Sequence, residues 1–338
     1  MSLSSWLWRT GGVCAAAATL AGCGGNVAQS VVEPAALRQD IVTNAFIGKG
    51  ASPTVRRSDR GPSEMAPNAR KNDLIYVSDA ESNDVTVYTY PQGTLVGTLH
   101  GFSEPQGECS DKLGNVWIVN TETGNVIEYA HAGTTPIAIV SDSGYYPAGC
   151  AIDPTTGNLA VANIASTTPG DEGNVAIFPA GHGSPIYYTP ANIARDYFCA
   201  YDANGNLYVD GQSGPSTGFG FAELPNGSAG FTSVTLDRSI SFPGAVQWDG
   251  RHVAIGDQSA NVIYQVKVSG SNGTVLRTTT LGGASDVIQF WKLGRKVVAA
   301  DSGLAFVGFW KYPAGGSPVR KITDDLYKPV GATVSRAN

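Results

Sequence analysis

The stretch from Pro105 to Tyr129, PQGECSDKLGNVWIVNTETGNVIEY, decides the fold. Pro105-Gln106-Gly107 opens a short apolar strand that runs to Asp111. Gly114-Asn115 follows, a pair that tolerates the left-handed backbone a tight hairpin needs. Residues 115–120 form a second apolar strand ending at Asn120, and 126–129 a third. Beyond His131-Ala132-Gly133, residues 136–140 supply a fourth. The unit is one small antiparallel sheet of four strands.

Working outward, the unit recurs about every 40–50 residues from Asp73 onward, a spacing typical of propeller blades. Its opening strand reappears as Pro147-Ala148-Gly149 running to Asp153, and as Pro243-Gly244 running to Asp249. Phe198–Asp202 and Asp286–Phe290 are degenerate copies. Second strands fall at 74–79, 115–120, 158–163, 206–211, 252–257 and 296–301, and end at Asp or Asn in all but the fourth, where Asp210 comes one place early. Third strands end in an aromatic or apolar residue before a turn, and a fourth strand closes each unit, with the fourth unit's expected over 231–236. The first repeat lacks its innermost strand, and 329–335, Pro-Val-Gly-Ala-Thr-Val-Ser, matches that strand with nothing after it. The expected architecture is therefore all-β, a six-bladed β-propeller of four-stranded antiparallel blades whose ring is closed by the C-terminal strand.

The N-terminus reads differently. Arg9 precedes a short apolar run over 13–21, too short to remain as a membrane span, ending in Leu20-Ala21-Gly22-Cys23. This resembles the bacterial lipobox, which implies a signal peptide over 1–22 and acylation of Cys23. Gly24 resembles the outer-membrane sorting pattern of enteric-type lipoproteins. The expected location is the bacterial cell envelope, anchored through acyl chains to the outer membrane. Residues 23–71 read as a lipidated cysteine and disordered tether, with a short helix suggested over 35–46, and residues 72–338 as the propeller. Residues 24–71 carry seven Lys/Arg against four Asp/Glu, whereas 72–338 carry fourteen against twenty-four, so the propeller is acidic at −10. That charge repels phosphate backbones and excludes nucleic acid as the expected partner.

The pattern Pro-x-Gly, Asp-x-x-Gly-Asn, apolar strand, Asn and Val-x-x-Tyr over 105–129 resembles an NHL repeat, and more widely the gluconolactonase/regucalcin-like propellers. The resemblance implies the six-bladed fold across the repeat region. It does not select an activity, because this group includes enzymes, scaffolds and ligand binders.

No nucleophile elbow, zincin helix, Cys-x-x-Cys or Walker loop is present. Asp202–Asn206 looks like the start of a calcium loop but falls where every blade makes its first hairpin, and is read as a turn. Asp79, Asn120, Asn163, Asp257 and Asp301 end second strands on one face, near Glu108, Tyr145, Tyr146, Tyr197, Phe242 and a long loop over 164–173. This channel-mouth face is the candidate site for an unidentified protein or small molecule. In regucalcin-like enzymes a metal sits at such a mouth, so the resemblance implies Glu108, Asn120, Asn163 and Asp257 as ligands for a divalent cation such as Ca²⁺. The simpler expectation for each Asp or Asn is that it caps its own turn. His131 and His182 fall in outer-rim hairpins, His252 opens a second strand, and His100 is expected as a solvated loop residue. Cys109, Cys150 and Cys199 lie on innermost strands, with Cys150 and Cys199 in matching positions and Cys109 shifted by one. They are expected as small apolar wall residues, with a disulfide or reactive thiol as the alternative. The leading functional expectation is a binding or scaffold lipoprotein; the alternative is a metal-dependent lactonase-like hydrolase, and a third is a structural part of an envelope complex.

Overall fold

A computed structural model of the chain describes residues 61–168, 170–214 and 217–337. Cys23, the signal run, the helix suggested over 35–46 and the tether up to residue 60 lie outside the described residues. The described residues form six sheets, each built on four antiparallel strands; blades 2, 3, 4 and 6 run in chain order outward from the centre, while blades 1 and 5 each gain a strand at the outer edge. Blade 2 shows the plan: Pro105–Ser110 innermost, then Val116–Asn120, Asn125–Tyr129 and Pro136–Ser141. Blade 1 takes its innermost strand from the C-terminus, as expected. Thr333–Ser335 pairs antiparallel with Asp73–Asp79, Leu74 opposite Ser335 and Tyr76 opposite Thr333.

The recurring Pro-x-Gly has a steric cause. A Cβ on Gly331 of blade 1 would stand 2.2 Å from the Gln106 carbonyl oxygen of blade 2. On Gly107 it would stand 2.5 Å from the Ala148 oxygen of blade 3, and on Gly149 2.7 Å from the Tyr197 oxygen of blade 4. Blades 1, 2 and 3 converge so closely on the axis that each of their innermost strands leans on the next blade through a residue without a side chain. Blade 4 has Asp196-Tyr197-Phe198 in place of Pro-x-Gly, which is why that copy looked degenerate.

Gln289 ties the closing joint. Its Nε2 donates to the Glu108 carbonyl at 2.7 Å, and its Oε1 accepts the backbone N–H groups of Glu108 and Ala332, both at 3.0 Å. One side chain from blade 6 thus bonds the closing strand and blade 2 together. Outside the centre, Val298, Phe309 and Ile322 of blade 6 pack with Ile75, Tyr88 and Val334 of blade 1.

Three expectations change. The fourth strand of blade 4 does not run through 231–236. Thr232–Ser233 stays with blade 4, while Thr235–Leu236 crosses to pair in parallel with Asn272–Thr280 at the outer edge of blade 5. The loop over 164–173 is shorter than expected, because Leu159–Ser166 continues past Asn163 to pair with Tyr145 and Tyr146, and Glu172 opens the next strand. Glu64–Met65, placed in the tether on composition, pairs with Leu95–Leu99 at the outer edge of blade 1. Both edge additions cover backbone groups that an outer strand would leave open.

Candidate functional site

Five of the residues expected to form the channel-mouth site, Asp79, Asn120, Asn163, Asp257 and Asp301, hydrogen-bond within their own blades. Asp257 accepts the Ser241 N–H at 2.8 Å on one oxygen and the Ala260 N–H at 3.2 Å on the other. Asp301 does the same with Ser285 at 2.8 Å and Leu304 at 3.0 Å. Asp79 takes Tyr327 and Lys328 on one oxygen, at 2.7 and 2.8 Å, and Glu81 and Ser82 on the other, both at 3.1 Å. Asn120 accepts Ser103 at 2.7 Å. In every case one partner belongs to the connection that leads into the innermost strand of the same blade. The repeated side chain is therefore a latch between that connection and the second strand, beyond the turn cap expected. Asn163 has the opposite polarity: its amide donates to Asp142 at 2.7 Å and to Asn174 at 2.8 Å, and the Tyr187 hydroxyl completes the Asp142 shell at 2.9 Å.

Glu108 does not face this rim. It lies wholly buried against blade 1, nearest the Ser78 hydroxyl and the Thr333 backbone N–H. Ser78 donates instead to the Gln106 carbonyl, so neither carboxyl oxygen has a formed hydrogen bond. Burial pushes this carboxyl well above the usual range, so it carries its proton far more readily than a surface glutamate. As an oxygen cage for Ca²⁺ the expected set does not fit, and among the described residues no three His, Cys, Asp or Glu converge to hold a metal ion.

Blade 4 holds a second orphan that sequence reasoning missed. Asp196 is fully buried with neither oxygen bonded, and Asp210 beside it accepts only the Phe198 N–H, at 3.3 Å. Burial raises both carboxyls well above the usual range, and each one's neighbouring acid adds to it: Glu172 for Asp196, and Asp196 for Asp210. The available signal was the loss of Pro-x-Gly in this blade. Asp202, in contrast, closes its turn on the N–H groups of Asn204 and Asn206 at 2.8 and 2.9 Å, as read. His100 is not solvated; its Nδ1 lies 2.7 Å from an Asp84 oxygen, and both side chains are only 11% exposed.

The cysteine expectation also changes. Cys109 and Cys150 form a disulfide, and Cys199 is a buried thiol. The one-place shift explains the pairing. Opposite strand faces on neighbouring blades look into one shared space, so Cys109 faces forward and Cys150 backward across the seam between blades 2 and 3. Cys199, in register with Cys150, faces blade 3, with its sulfur 3.8 Å from the Ala160 oxygen.

That seam opens into a cleft of about 410 Å³ on the face opposite the latches. The first hairpins of blades 2 and 3 wall it, with Asp111, Leu113, Asp153 and Thr155. Trp117, beside Cys109 in the strand register, and Glu128, beside Trp117, come from blade 2; His182 comes from blade 3. Leu113 is 59% exposed at the mouth. The oxygens of Asp111 and Asp153 close their own turns. Glu128 is the less committed acid; burial and Asp111 raise its pKa against the pull of His182 and Asn115. An apolar lip, an acid and a histidine around the Trp117 ring can bind a small polar molecule or a side chain.

No family model and no curated protein matches the sequence. Solved structures share the fold. A chain from a nidogen/laminin complex superposes with a TM-score of 0.64 at 12% identity, covering 79% of this chain and 99% of that one. A Bacteroides caccae protein of unknown function gives 0.60 at 13% identity, covering 78% and 99%. The β-propeller domain of Myceliophteria thermophila Cps50 (Swd1) gives 0.52 at 11%, covering 82% and 90%. The chain is thus a six-bladed β-propeller protein, and the likeness to NHL repeats stands at the level of that fold.

Proposed function

We propose that the protein is a binding or scaffold lipoprotein of the bacterial cell envelope, held to the membrane by acyl chains on Cys23 and presenting its propeller on a tether. The observation that carries the binding role is the cleft between blades 2 and 3, formed by two hairpins on a rigid ring and stapled from behind by the Cys109–Cys150 disulfide. Clefts on rigid scaffolds suit recognition, since little order is lost on binding. The fold similarity to a chain from a nidogen/laminin complex is in keeping with a partner-binding role. The anchor rests on Leu20-Ala21-Gly22-Cys23 after a short apolar run. Outer-membrane placement rests on Gly24.

Cys23→Ser is expected to move the protein from the membrane fraction to the soluble fraction, because two acyl chains hold a protein where none remains to do so. Carbonate-washed membranes probed for the intact chain give the answer. Retention of the variant at the wild-type level would rule out the anchor.

A further inference from the structure

The acidity of the propeller is unevenly divided. Residues 72–237, blades 1 to 4, carry two Lys/Arg against eighteen Asp/Glu, a net of −16. Residues 238–338, blades 5 and 6 with the closing strand, carry twelve against six, a net of +6. A groove of about 820 Å³ lies in this basic sector, lined by Arg251, His252, Gln265, Lys267, Arg277 and Pro313 among others, with no acidic side chain in its lining.

The strand register builds the groove. In blade 5 Ala254 pairs with Gln265, and Gln265 with Arg277. With side chains alternating along each strand, His252 and Lys267 share that sheet face. A bulge after Gln265 leaves Leu276 unpaired in the ladder and kinks the outer strand at Arg277. Pro313 of blade 6 forms the facing wall. The nearest carboxylate, Asp249, is closed off. One oxygen accepts the backbone N–H groups of Arg251 and His252, at 2.9 and 2.8 Å, and the other the Gln265 amide and the Tyr312 hydroxyl, at 2.6 and 2.8 Å. Among the described residues Arg251, Lys267 and Arg277 form no ion pair, and the His252 Nδ1 is buried without a hydrogen-bond partner.

We propose that this groove binds a ligand bearing clustered phosphate groups. Two guanidiniums, an ammonium and an imidazole facing one concavity match several anionic oxygens at once. Arginine forks are suited to phosphate in particular. An acidic protein that gathers its cations on one sector, and leaves them without ion pairs in a groove, lowers the local barrier to an anion that the other four blades repel. The site is separate from the cleft between blades 2 and 3 and does not depend on the acyl anchor.

The test uses the full chain bearing Cys23→Ser, so that no acyl chain contributes. Titration with inorganic pyrophosphate at low salt is expected to show saturable binding at one site. Arg251→Gln with Arg277→Gln should weaken it at least about tenfold, the loss of one or two charge-assisted hydrogen bonds. Lys321→Gln, which removes one charge outside the groove lining, where the ammonium lies over the Phe306 ring, should leave it within about twofold. Flotation with phosphatidylglycerol and phosphatidylcholine vesicles separates the sources. Retention by the first alone, lost in the double variant, assigns the phosphates to lipid headgroups. Pyrophosphate binding without retention assigns them to a soluble ligand. The proposal is overturned if neither probe binds, or if binding survives the double variant unchanged.

Discussion

At the scale of single residues, most acids of this propeller hold loops, and a few are paid no such attention by their neighbours. Asp257 and Asp301 each accept several backbone N–H groups; Glu108 and Asp196 have no formed hydrogen bond, and Asp210 has one, at 3.3 Å. Their pKa values are raised by burial, so the native state keeps protons that the unfolded chain releases. Their penalty is absent below the unfolded carboxyl range, about pH 4, and grows as pH rises toward the folded values. Stability is therefore expected to fall from pH 5 to pH 8. Asp196→Asn should raise the melting temperature at pH 8 by about 2–4 °C, the shift roughly 1 kcal/mol gives in a domain of this size, and leave it unchanged or lower at pH 4. Thermal melts across that range check it; a variant with the wild-type slope would show that Asp196 is not a source of it. The repeated Asp and Asn were legible as turn residues from sequence, since a turn is local. Their second bond, to the connection before the innermost strand, was not, because it spans 16 residues for Asp257 and Asp301, 17 for Asn120 and 248 for Asp79, and depends on how the blade folds back.

At the scale of strands and blades, alternation told more than was drawn from it. The offset of Cys109 from Cys150 was plain in the sequence, but only adjacency in the ring turns opposite faces into one shared space. The disulfide closes a span of 41 residues and joins blades that otherwise meet through Trp117, Val161, Phe178 and their neighbours. Loop-closure entropy for that span corresponds to roughly 4 kcal/mol. The double variant Cys109→Ser, Cys150→Ser is expected to lose about 2–4 kcal/mol in urea unfolding monitored by tryptophan fluorescence. Stability equal to wild type would mean that the seam is held by packing alone. Sequence reasoning also missed the strand that leaves blade 4 for blade 5. Nothing in residues 231–236 signals a change of partner; Gly273 permits it, since a Cβ there would lie 2.4 Å from a Leu236 methyl.

For the whole molecule, six repeats and an orphan terminal strand were enough to set the ring and its closure in advance. The site was not, because every blade offers the same polar residues and only the assembled ring shows which are engaged. Removal of residues 329–338 takes away Thr333–Ser335, the Val330 N–H bond to Ser78 at 2.9 Å and the Ala332 partner of Gln289. The truncated chain is expected to lose a stability comparable with that of a whole domain, about 5–15 kcal/mol, and to aggregate through the exposed edge of Asp73–Asp79. Circular-dichroism melts with light scattering test this; a cooperative melt at the wild-type temperature would disprove the closure.

The position of the closing strand also sets an order of events. A chain made from its N-terminus delivers blades 2 to 6 complete, each from contiguous sequence, while blade 1 waits with a bare inner edge. Residues 329–335 supply the missing strand, so ring closure cannot precede their synthesis. Any partner site that needs the finished ring is withheld until then. A chain that lacks residues 329–335 keeps an open strand edge, so closure separates finished rings from unfinished ones.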